Sequence, residues 1–297
     1  MMQTLADIGE DGLIRRLVTG LKLDSSVIAG PGDDCAVVRA PGRGQHLLLK
    51  TDTVVEGVHF TPETPPRLIG RKAMARVISD FAAMAATPRH ALITLIAPPH
   101  TPVKRVLGIY TGLRQLAESF GVNIVGGETS RGDQLVITVS LIGTAPATSW
   151  IGRDRGRAGD QLWVTGRLGG SLRGKHLRFQ PRLAEALWLA QHFPVHAMMD
   201  LSDGLAKDLP RLALACGLAF EVPMETLPRT RGRTIEQAWG DGEDYELLFA
   251  LPAKVHKRLL SEWRQAFPKL ELTCIGSLTD EMKRPRPAAT GGWDHFQ

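Results

Sequence analysis

Cysteine is scarce in this chain: Cys35, Cys216 and Cys274 are the only three in 297 residues, far apart and in no CxxC spacing. That argues against a disulfide framework and against a zinc site. Aromatic residues make up only 6% of the sequence and no run of Lys and Arg is interleaved with them, which disfavours a nucleic-acid stacking surface. Long apolar runs are missing as well. Leu92 to Ala97 and Leu135 to Ile142 are of strand length, too short to span a bilayer. Asp7, Glu10 and Asp11 interrupt the N-terminus where a signal peptide would need an apolar stretch. The GxxxxGK[ST] loop of P-loop kinases is absent too. The expectation is a reduced, cytoplasmic protein. If it handles nucleotide phosphates, metals held by carboxylates must neutralise them.

What is present fits an ordinary globular chain, 43% hydrophobic and 23% charged, with a net charge of +5. Arginines crowd at 153–157, 229–233 and 284–286, where they form either a solvated basic face or a field attractive to polyphosphates. The length suggests two domains, and Ala145 to Trp150, containing Pro146, is the expected boundary. This gives an N-terminal unit of residues 1–145 and a C-terminal unit of residues 146–297. Strand and helix patterns alternate in both, so the fold class is α/β or α+β.

Acidic residues recur at the ends of apolar strands. Gly32-Asp33-Asp34 precedes the β-branched run at Val37, and His46 to Lys50 runs into Thr51-Asp52-Thr53. Val195 to Met199 ends in Asp200-Leu201-Ser202-Asp203-Gly204, and Gly242-Glu243-Asp244-Tyr245-Glu246 enters a strand at Leu247. Each alone reads equally well as a polar turn or helix cap; repeated, they read as metal and phosphate ligands. Gly70 to Ala86 is the most informative helix. Helical spacing puts Asp80 on the apolar face with Ala73, Val77 and Met84, while Arg71, Lys72 and Arg76 lie a turn or more away. A carboxylate there needs a cation, from a metal or a salt bridge. Val122 to Val125 leads to Gly126-Gly127-Glu128-Thr129, a glycine pair suited to close approach by a phosphate or to any tight turn. Pro210 places the start of the following helix near Asp208.

These motifs in this order resemble the thiamine-monophosphate kinase family, of the superfamily that includes aminoimidazole ribonucleotide synthetase. The match runs from Gly9-Glu10-Asp11 through GDD (32–34), TDT (51–53), EGVHF (56–60), SDFAAM (79–84), GGET (126–129), DLSDGL (200–205) and GEDYELL (242–248) to DHF (294–296). The resemblance implies a two-domain fold: an N-terminal sheet that pairs with its copy in a homodimer barrel, and a C-terminal α/β sandwich. It implies ATP-dependent phosphorylation of thiamine monophosphate, assisted by several Mg²⁺ ions, with neither nucleic acid nor membrane as partner. Metal ligands map onto Asp34, Thr51, Asp52, Asp80, Glu128, Asp200 and Asp203. ATP contacts map onto Tyr110, Gly127, Arg153 and Ser202, and substrate contacts onto His59, Glu243 and Trp293. No residue is assigned as a general base.

Four places depart from the family pattern. Lys50 stands where Ser or Thr commonly precedes the TD pair, Glu128 where Asp is usual, and Asp241 where Gly is usual; the segment at 171–176 is short. Alternatives are other ATP-using members of the superfamily or a relative that binds nucleotide without turnover. A selenophosphate-synthetase type needs a Cys in an N-terminal glycine loop, and a hydrogenase-maturation type needs a C-terminal Cys; the chain ends Phe296-Gln297.

Overall fold

The computed structural model describes residues 3–42, 44–280 and 291–296; the arginines at 284–286 lie outside them. After helix α1 (Leu5–Val18) come β1 (Val27–Ala29), β2 (Ala36–Arg39), β3 (Gln45–Val55), α2 (Pro66–Ala83), β4 (Thr87–Ala97), α3 (Val103–Ser119), β5 (Asn123–Arg131) and β6 (Val136–Pro146). Their strands form one sheet in the order β1-β2-β3-β6-β4-β5. Its pairs are antiparallel except β4–β5, which α3 joins by the long crossover that parallel neighbours require.

The second sheet follows. It takes β7 (Asp160–Thr165), β8 (Ala197–Asp200), β9 (Ala219–Glu221), β10 (Leu247–Pro252) and β11 (Leu272–Thr279), in the antiparallel order β8-β10-β7-β11-β9. Helices α4 (Leu183–His192), α5 (Leu205–Ala215), α6 (Ile235–Gly240) and α7 (His256–Ala266) complete it.

Helix α2 is the element around which the site is built. Sequence spacing gives it one apolar face, yet it is buried almost all round from Ile69 to Ala83. It has the first sheet on one side and meets α4 and β8 of the second on the other. It crosses α3 at backbone contact: a Cβ on Gly70 would lie 1.9 Å from the Ile109 carbonyl, and one on Gly112 would lie 2.0 Å from that of Arg67.

Three expected boundaries move. Strand β3 does not end at Lys50 but continues through Thr51-Asp52-Thr53 to Val55, because β6 pairs with it along its whole length. Gly126 to Arg131 is strand rather than turn, since β5 continues beside β4. Helix α5 begins at Leu205, with Pro210 inside it. The buried Asp208 caps that start by accepting hydrogen bonds from the N–H groups of Asp203 and Gly204 at 3.0 and 3.1 Å, so the proline costs one backbone donor within an anchored helix.

Candidate active site

Strand alternation and helix periodicity bring charge to one place. On β3 the side chains of Leu48, Lys50, Asp52 and Val54 share the face toward α2, and Leu49, Thr51 and Thr53 face the other way. On α2, Lys72, Arg76 and Asp80 recur at intervals of four and form a charged stripe. Asp34 precedes β2, and Asp200 is the last residue of β8.

Asp34, Asp80 and Asp200 are all buried, and each offers a carboxylate oxygen within 4.8 Å of the others'. Asp80 lies in the last turn of α2, at the negative end of the helix dipole, which raises the cost of its charge further. Burial pushes the Asp80 carboxyl well above its ordinary value; Lys50 opposes this, while Asp52, Asp200 and Asp34 reinforce it. Burial, and then Asp34, raise Asp200 to about 7. Three buried carboxylates with oxygens this close together form the donor set a hard divalent cation such as Mg²⁺ takes, so these residues fit the metal that the resemblance implies.

Each acid has a partner. Arg153 holds Asp34 through Nη2–Oδ1 at 2.5 Å and Nε–Oδ2 at 3.2 Å. Lys50 Nζ is 2.8 Å from Asp80 Oδ1. The cation for the helix-face acid therefore comes from the neighbouring sheet and not from its own helix. Among the described residues the Asp200 carboxylate receives only the Ser79 hydroxyl, at 2.6 Å. Asp52 pairs with Arg76 at 3.1 Å; burial alone would raise its pKa, but Arg76 and then Lys50 bring it below the usual carboxylate range. Asp203 pairs with Arg211 at 2.6 Å.

Two of the expected ligands stay apart from this cluster. The Thr51 side chain lies on the opposite face of β3 from Asp52, bonded to Ser140 Oγ at 3.1 Å. Glu128 is exposed on β5, where its Oε1 accepts from the Thr129 N–H at 2.9 Å. Gly127 is explained by packing: a Cβ there would meet the Ile93 carbonyl at 1.8 Å. Tyr110 lines a separate cavity of about 520 Å³ between α3 and the start of β5, with Arg114 and Asn123.

The expected substrate contacts do converge. His59, Glu243 and Trp293 line one pocket of about 100 Å³ together with Arg76, Ser202, Asp203 and His295. Glu243 and Tyr245 adopt left-handed backbone conformations with φ of 62° and 51°, strain of the kind that concentrates at ligand sites. Lys72, fully buried, explains how the turn is held. Its Nζ donates to the His59 carbonyl at 2.6 Å and to Glu243 Oε2 at 2.7 Å. His176 Nδ1 lies 2.9 Å from both Lys72 and Glu243, accepting from one or donating to the other according to its tautomer. Burial would raise the Glu243 carboxyl, but His176 and Lys72 bring it down to about 2. Burial lowers Lys72 to about 8, and His59, buried beside Arg76 and Lys72, falls to about 3 and is neutral.

The segment that brings Trp293 to the pocket is tied to Lys207 and to Glu10 near the other end of the chain. Lys207 Nζ donates to the Trp293 carbonyl at 2.6 Å and pairs with Glu10 and Asp294 at 3.3 and 3.4 Å. The Glu10 N–H in turn donates to Asp294 at 3.1 Å.

Sequence reasoning missed Lys72, Arg76, Lys207 and Arg211 as members of the site. The four-residue spacing of Lys72, Arg76 and Asp80 was a usable signal for the first two. The others are set by tertiary pairing alone.

Comparison with known proteins bears on what such a cleft does. Residues 32–145 match the model of the AIR synthase related protein, N-terminal domain, and residues 130–283 match that of the C-terminal domain. The chain is 41% identical over 243 residues to the thiamine-monophosphate kinase of Rhodopirellula baltica, covering 76% of each chain. It is 32% identical to that of Aquifex aeolicus, covering 98% of this chain and 99% of the relative. A solved structure of AaThiL complexed with AMPPCP and TMP superposes with a TM-score of 0.83 at 32% identity over 99% of both chains. The hydrogenase maturation protein HypE of E. coli shares the fold, with a TM-score of 0.68 at 21% identity.

Proposed function

We propose, for a chain that belongs to the thiamine-monophosphate kinase family of AIR synthase related proteins, that it transfers the terminal phosphoryl group of ATP to thiamine monophosphate, giving thiamine diphosphate and ADP. The observation that carries this reading is the joining of two unlike sites: the buried triad Asp34–Asp80–Asp200, and a pocket walled by His59, Glu243 and Trp293. They meet at the DLSDG turn, whose Asp200 belongs to the triad and whose Ser202 and Asp203 line the pocket.

The acceptor is a phosphate oxygen already ionised at neutral pH, so no strong general base is needed. Catalysis then rests on alignment and charge neutralisation. Asp34, Asp80 and Asp200 would hold Mg²⁺, which supplies positive charge to the phosphates. Asp52 and Asp203, now arginine-paired, are the candidates for further ions, with Thr51 and Glu128 the outermost of the set. Arg153 and Ser202 are assigned to the ATP phosphates, Gly127 and Tyr110 to the rest of the nucleotide. Trp293 stacks on the thiamine rings, and Glu243 with His59 fixes the cationic substrate.

The units 1–145 and 146–297 are read as the two domains. The exposed Leu49, Leu92 and Val125 on the outward face of the first sheet suit pairing with a second copy. Cysteines without disulfides suit a cytoplasmic enzyme, and among the described residues no helix is long and apolar enough to cross a membrane.

The test is direct. The purified protein is incubated with thiamine monophosphate, ATP and Mg²⁺, and thiamine diphosphate and ADP are resolved by chromatography. Equimolar products that vanish with EDTA support the reading. Nucleotide binding without either product contradicts it.

A further inference from the structure

The buried acids are unequally matched. Asp34 has Arg153, the partly exposed Asp52 has Arg76 and Asp80 has Lys50, while among the described residues Asp200 meets only the hydroxyl of Ser79. Two of the three cations are guanidiniums, planar groups of delocalised charge; Lys50 is a compact point charge on a flexible stem. Strand alternation aims it inward, between Leu48 and Asp52, onto one of the three oxygens that would ligate a divalent ion.

We infer that Lys50 is a resident cation of the triad, whose ammonium competes with a divalent ion for Asp80 and so sets how tightly the cluster takes metal before nucleotide arrives. An ion bound by the triad must share Asp80 with the ammonium or displace it, and like charges at such separation repel. The inference rests on the triad being the metal site.

The test is a Mn²⁺ titration of the full chain without nucleotide, read by electron paramagnetic resonance of the free ion. Lys50→Met should bind Mn²⁺ about tenfold tighter or more than wild type, the low end of what one neighbouring unit charge does to a site. Lys50→Arg, which keeps the charge, should stay near wild type. Lys50→Gln serves the same purpose if the Met variant does not fold by circular dichroism. Unchanged or weaker binding by a folded Lys50→Met or Lys50→Gln variant overturns the inference. Asp200→Asn separates this from failure of the metal reading itself. If it abolishes binding while the Lys50 variants do nothing, only the role of Lys50 falls. If it leaves binding unchanged, the triad is not the metal site and both fall.

Discussion

Replacing Asp200 by Asn should stabilise the metal-free protein while destroying its activity. The carboxyl sits at the end of β8, 3% exposed, and burial together with Asp34 moves it from an ordinary 3.8 to about 7. Asn keeps the shape and an oxygen that can accept from Ser79. A folded-state pKa above the unfolded one means that the group's contribution to stability is complete below 3.8 and is lost as the pH rises through about 7. Ionising it in the fold costs at most about 4 kcal/mol, at about 1.4 kcal/mol per unit. Melting followed by circular dichroism in EDTA should therefore find wild type and variant together only below about pH 4, drawing apart as the pH rises, with the variant several degrees higher at pH 8. Saturating Mg²⁺ should reverse the order at pH 8, because only wild type keeps the third ligand. Turnover of thiamine monophosphate should fall by at least about a hundredfold, the scale for removing an electrostatic element of a transition state. A variant that melts lower than wild type at pH 8 in EDTA would refute the view that Asp200 is a buried charge whose burial outweighs the groups around it.

Two other substitutions probe the pocket. Trp293→Ala should raise the KM for thiamine monophosphate about tenfold, in line with about 1.4 kcal/mol of lost stacking, and leave that for ATP nearly unchanged; equal rises in steady-state assays would make Trp293 an anchor for the tail instead. Lys72→Met removes the donor to the His59 carbonyl and leaves the Glu243 carboxylate with His176 in place of two partners. It should cost about 3 kcal/mol in urea unfolding and raise the KM for thiamine monophosphate more than that for ATP, whereas a stability loss with unchanged KM would limit Lys72 to a structural role.

The parts of this molecule that were legible in its sequence are those governed by local pattern. Asp80 on a helix face of Ala, Val and Met announced a need for a cation, and Asp34 and Asp200 at strand ends announced their direction. The structure joins these three. Strand ends were harder to read. Thr51-Asp52-Thr53 looks like a polar turn, but the pairing of β6 with β3 keeps it extended, and alternation then sends Thr51 and Asp52 to opposite faces. The glycines at 126–127 suit a loop equally well, and only the closeness of Ile93 reveals a strand. Strands as short as β1 and β9 carry too few residues for a period to show. The cation pairings were the largest omission. Lys50 stood out as a departure from the family pattern, but its partner Asp80 lies 30 positions away, and Lys207 reaches Asp294 across 87. Pairing at such separations is decided by the fold and leaves no local trace.

The central claim is that the triad of buried aspartates holds the metal on which phosphoryl transfer depends. A crystal grown with Mn²⁺, AMPPCP and thiamine monophosphate and measured at the manganese absorption edge tests it. The account predicts an anomalous peak in direct contact with oxygens of Asp34, Asp80 and Asp200. Peaks confined to other carboxylates, with the triad still held by Lys50 and Arg153, would contradict it.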